Sequence, residues 1–154
     1  MGTRSRIVVI DEQKNKKIDL YCQWDGYFNY MGIKLLERLR DKELVEKFKT
    51  NLNKCYFTDG SEEISEDYYD KFISRDVMYR IIENVADCKL DKIILQELGD
   101  KEAEKWLEYC YVIDFSSNVF MCYHRANYIG ENPEIVCFLD NLPTNENFLK
   151  SLEE

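Results

Sequence analysis

Histidine is nearly missing from this 154-residue chain: His124 is the only one. Any Cys–His or Ser–His–Asp arrangement would therefore have to pass through it, and a lone histidine at a strand end is more often a satisfied surface residue than a general base. Two prolines and six glycines are too few for disordered linkers. None of those glycines falls in a GxGxxG or GxxxxGKS/T spacing, which removes the familiar phosphate cradles. CxxC, HxxxH and DxDxDG spacings are absent as well, so the sequence predicts no metal and no cofactor. No apolar run approaches 18 residues and no charged-then-apolar leader opens the chain, so neither membrane spanning nor secretion is expected.

Positive charge is also short. Twenty-one basic against thirty acidic side chains give a net charge of −9. Such a chain is repelled by nucleic-acid phosphates and anionic membranes, and its natural complement is a protein partner with a basic surface.

What is present is a globular composition, 45% hydrophobic and 33% charged, at a length that suits one domain covering residues 1–154. Eleven tyrosines are an excess; a ring with a polar tip suits a half-wet core boundary or a binding face. The six cysteines, Cys22, Cys55, Cys88, Cys110, Cys122 and Cys137, are scattered beside apolar or aromatic residues. That pattern predicts buried reduced thiols and a cytoplasmic location.

Periodicity organises the chain. An apolar run from Ile7 to Ile10, a polar turn from Asp11 to Lys17 and the alternation Ile18, Leu20, Cys22, Trp24 predict a first β-hairpin. Met31, Leu35, Leu36 and Leu39 then recur at helical spacing over 29–40. Asp41 is placed to cap a second helix with the stripe Leu44, Val45, Phe48, Leu52, ending near Lys54. The segment 58–67, TDGSEEISED, has loop composition, and a helical pattern covers about 66–86. KIILQEL fits either a helix or a short strand, because so short an apolar run carries no period. Tyr109, Tyr111, Ile113 and Phe115, a turn at Ser116–Asn118, and Val119, Met121, Tyr123 form the strongest strand signal, a second hairpin. Pro133 and Thr144 open two short final elements, the last a helix. Hairpins need partners, so the economical fold is α+β: an antiparallel sheet built from the N-terminal and C-terminal β-hairpins, with central helices packed on one face.

Among acidic residues, Asp19 and Asp25 fall on one strand face, but six residues of extended chain set them about 20 Å apart, too far for shared acid–base work. The stretch YCQWDGY suggests a more compact cluster. Trp24 ends the buried face, Asp25 caps the turn, Gly26 permits a positive φ, and Tyr27 packs under the following helix. Arg4, on the paired strand, is placed to hold Asp25 in a bidentate pair. Arg4, Trp24, Asp25 and Tyr27 are the candidate binding residues, since arginine, tryptophan and tyrosine anchor ligands and partners best.

MGTRSRI at the start, YCQWDGY, and YCYVID near the end resemble a group of small uncharacterised phage, prophage and bacterial proteins with an MGTRSxI start, a YxxWDGY motif and a late YxYxID strand. Gly2, Thr3, Arg4, Ser5, Trp24, Asp25, Gly26, Tyr27, Tyr111, Ile113 and Asp114 match. Phe28 departs from the pattern, where proline is common. The resemblance implies a phage-associated protein acting in the bacterial host cytosol. With the small size, acidic charge and tyrosine excess it leads to one expectation: a binding protein that inhibits a host factor such as a CRISPR-type immune effector, by analogy. The alternative is a small-molecule, nucleotide-like binding protein or hydrolase with a pocket at the YCQWDGY turn, using Arg4, Asp25 and His124.

Overall fold

The computed structural model describes residues 3–22, 25–58, 78–89, 93–96, 107–124 and 132–151. Two hairpins supply most of the main sheet: β1 (Ser5–Ile10) with β2 (Lys16–Cys22), and β5 (Tyr109–Asp114) with β6 (Val119–His124). Each turn is organised by an aspartate at the end of its first strand. Asp11 Oδ1 accepts the N–H groups of Gln13 and Asn15, both at 2.9 Å, and Asp114 Oδ1 accepts those of Ser116 at 2.9 Å and Ser117 at 3.2 Å. These are the local bonds that make aspartate a turn former.

The two hairpins meet through β1 and β5, and β7 (Ile135–Phe138) extends the far side, giving the order β2-β1-β5-β6-β7. The fold class is α+β, as the periodicity predicts. The sheet is antiparallel except at its centre, where β1 and β5 run parallel in the register Ser5↔Tyr109 to Ile10↔Asp114. A parallel pair requires a long crossover, and here the crossover is the helical middle of the chain.

That middle carries α1 (Ile33–Leu39), preceded by a wide π-type turn at Phe28–Gly32, α2 (Lys42–Leu52), β3 (Cys55–Thr58), a short 3₁₀ turn at Met78–Arg80, α3 (Ile81–Ala86) and β4 (Ile93–Gln96); α4 (Asn145–Lys150) closes the chain. Asp41 caps α2 through the Leu44 N–H at 3.1 Å, and Thr144 caps α4 through that of Asn147 at 3.2 Å. Asn51 of α2 donates its side-chain amide to the carbonyls of Val85, Ala86 and Cys88 at 2.8, 3.0 and 3.2 Å, satisfying orphan acceptors at the end of α3. One correction and one resolved alternative arise here. Cys55–Thr58 is a strand where the sequence suggested a helix end and the start of a loop, and KIILQEL contributes strand β4; the two pair in parallel and lie beside β2. A partner strand decides what a short apolar run becomes. The remainder of 58–67 and the N-terminal part of the helix expected over 66–86 lie outside the described residues.

One face of the sheet makes the main core. Ile7, Val9, Ile18, Leu20, Cys22, Tyr111, Ile113, Phe120, Cys122, Ile135 and Cys137 pack there against Leu35, Leu36, Phe48, Ile82, Val85 and Phe148 of the helices. All six cysteines are buried thiols, none in a disulfide. On the other face Val8, Cys110, Val112 and Tyr123 form a smaller cluster, next to a buried ion pair. Arg6 donates to Asp19 in two-pronged fashion, from Nε to Oδ1 at 2.5 Å and from the terminal nitrogen to Oδ2, and Lys16 reaches Oδ2 at 2.8 Å. No described helix is long and apolar enough to cross a membrane.

Candidate functional site: the aromatic end of the sheet

β1 and β5 begin, and β2 and β6 end, at the same end of the sheet. There the chain from Asp25 to Gly32 folds back over the core face. Gly26 donates its N–H to the Thr3 carbonyl at 3.0 Å, and its own carbonyl accepts the Tyr111 hydroxyl at 2.5 Å. A Cβ at Gly26 would stand 2.6 Å from Ser5 Cβ and 2.9 Å from the Thr3 oxygen. This corrects the expected role of the glycine: the left-handed backbone falls on Asp25, with φ 53°, and Gly26 is required for close approach to β1.

Asp25 is exposed, and its carboxylate accepts the Tyr27 hydroxyl at 3.0 Å. That hydrogen bond pushes the Tyr27 phenol above its ordinary value. Tyr30 is pushed up too, first by its hydrogen bond with Tyr79 and then by burial. Phenols held in the protonated form act as donors and aromatic surfaces rather than as nucleophiles or bases. Tyr27 meets Tyr30 edge-on at 6.2 Å, Tyr30 meets Tyr79 at 6.0 Å, and the Arg38 guanidinium lies 4.5 Å above the Tyr79 ring.

A second aromatic group stands beside the first. The 109↔124 pairing of β5 with β6 puts Tyr109 and His124 ring to ring at 4.8 Å, and Phe28 packs edge-on against Tyr109 at 4.7 Å and near His124 at 6.3 Å. All three are half-buried. His124 is thus a member of the cluster rather than an isolated surface histidine. The signal was available in the sequence: a four-residue turn after Asp114 places Tyr109 opposite His124.

Of the four candidate binding residues, Asp25 and Tyr27 are in contact. Arg4 is half-buried at the same end, where its carbonyl accepts the N–H groups of Glu108 at 3.1 Å and Tyr109 at 3.2 Å, fixing the start of β5. Trp24 lies outside the described residues. A bidentate arginine–carboxylate pair is made between β1 and β2 by Arg6 and Asp19. Among the described residues, no three histidine, cysteine or acidic side chains gather to hold a metal. Two clefts, of about 270 and about 200 Å³, open at the other end of the sheet, sharing Glu46, Lys49 and Phe115; neither borders the YCQWDGY turn.

An α+β fold with an aromatic patch and one exposed carboxylate, Asp25, at the end of a mixed sheet is what the geometry defines. No family model matches the chain, and no curated protein or solved structure matches it.

Proposed function

We propose that this chain is a phage-associated acidic binding protein that inhibits a host factor, of the bacterial immune-effector class exemplified by CRISPR systems, through protein–protein contact. One observation carries the binding part: Asp25, Tyr27, Phe28, Tyr109 and His124 collect at one sheet end, aromatic and partly accessible, as partner-binding patches are composed. The net charge of −9 supports a basic partner surface, such as the nucleic-acid channel of an effector. The host-antagonist part is supported by the motif resemblance through Thr3, Arg4, Ser5, Asp25, Gly26, Tyr27 and Tyr111.

Capture from a bacterial host lysate tests this. A host protein with a basic surface should be retained at about 50 mM salt and released at about 500 mM, because exposed charge pairs are screened. Tyr27→Ala and Asp25→Asn should weaken capture while leaving the thermal midpoint near that of the parent. Capture of phage particle proteins instead, or retention indifferent to salt, would overturn the reading.

A further inference from the structure

β7 is the last strand of the five-stranded sheet, and among the described residues no strand pairs with its outer edge. The Leu139 N–H donates to the Asn118 carbonyl at 2.9 Å, and bonded and non-bonded pairs alternate along an antiparallel ladder. Carried through the register Phe138↔Val119, Cys137↔Phe120, Val136↔Met121, this alternation turns the backbone groups of Val136 and Phe138 away from β6. Asn141 N–H takes the Phe138 carbonyl at 3.0 Å. The Val136 N–H and carbonyl and the Phe138 N–H therefore face outward. Among the described residues, their side chains are the large apolar ones most open to solvent, Val136 at 48% and Phe138 at 64%. Edges are ordinarily blunted by a lysine, a bulge or a proline. The strand IVCF carries no lysine and no proline; Pro133 stands two residues ahead of it, and the irregularity at Glu134, whose N–H bonds the Cys122 carbonyl opposite Ile135, precedes Val136 and Phe138.

We propose that β7 is a docking edge that receives an extended segment of a basic partner protein as a sixth strand. Main-chain bonds to Val136 and Phe138 would set its register, and its apolar residues would cover those two side chains. Charge selects the occupant. Asp140, exposed, stands two residues past the end of the strand, within a chain of net charge −9. A second copy would bring the same carboxylate and the same net charge, whereas lysine or arginine flanks would complement both. The proposal rests on the reading of this chain as a protein-binding module and adds a surface distinct from the aromatic end.

The test uses the full chain labelled with ¹⁵N and a synthetic peptide of alternating valine and threonine flanked by lysines. Amide shifts should concentrate on 134–139, and a glutamate-flanked counterpart should bind about tenfold more weakly at low salt. Val136→Pro removes an outward N–H without removing a bond to β6, and Phe138→Lys places a charge on the edge; each should abolish peptide binding. Absence of binding, shifts away from β7, or equal binding by a folded variant would overturn the proposal. So would a dimer that Val136→Pro dissolves, since the occupant would then be a second copy. A host protein captured equally by parent and Val136→Pro overturns the edge proposal while the host-binding reading stands.

Discussion

The hydroxyl of Tyr111 donates to the carbonyl of Gly26 at 2.5 Å, joining the centre of the sheet to the turn after β2 across 85 residues of sequence. Both residues are buried. Tyr111→Phe keeps the ring and removes the donor, leaving a buried carbonyl short of a partner. A loss of about 1–3 kcal/mol in urea unfolding is expected. A loss confined to a few tenths would show that the turn is held by other contacts.

Gly26→Ala should destabilise by about 1–3 kcal/mol, because the new methyl overlaps Ser5 and the Thr3 carbonyl and the backbone must shift. Ser5→Gly in the same chain removes the nearer obstacle. The double variant is expected to recover part of the loss, and equal stability of single and double variants would place the strain elsewhere.

The buried pair gives a non-additive prediction. Asp19 is fully buried and Arg6 nearly so, so Asp19→Leu or Arg6→Met alone breaks a buried pair by removing one partner and should cost about 3–5 kcal/mol. The double replacement should cost less than either single change. Lys16, whose side chain is more than a third exposed, should matter far less: Lys16→Met is expected to change stability by about 0–1 kcal/mol.

Alkaline stability follows from the thiols and the buried phenol. Burial pushes Cys55 up to about 12 from an ordinary 9.0, and raises Cys122 and Tyr111 well above their usual values. A group whose folded value is raised contributes its full stability below the unfolded value and loses it as pH climbs toward the folded one. For Cys55 the window runs from about pH 9 to about pH 12, with a slope of about 1.4 kcal/mol per pH unit for each such group. Urea midpoints should hold up to about pH 8 and fall steadily above pH 9. Cys55→Ala should flatten that fall, and a midpoint unchanged to pH 11 would contradict the assignment.

Features written in local spacing were legible in the sequence. The hairpins come from alternation around Asp11 and Asp114, and α2 and α4 from the caps Asp41 and Thr144. The parallel seam of β1 with β5 was not legible, because its partners share no local signal. The same holds for β3 and β4, four residues each, whose identity comes from pairing with one another. At the site, YCQWDGY drew attention to Asp25 and Tyr27, but the reason for Gly26 depends on Ser5 and Thr3, which only tertiary contact reveals. Arg6 and Asp19 face each other diagonally across β1 and β2, a relation that needs the register and its shift near Ile10.

The parallel seam also sets a timetable. Residues 5–10 find their neighbours about a hundred positions later, so at the roughly 5–20 residues per second of protein synthesis the first ribbon waits on the order of 5–20 seconds for its mate to be made. Until then its inner margin, Ile7 to Val9, is uncovered. Chaperone dependence and loss to inclusion bodies should therefore follow the speed of translation through the middle of the message.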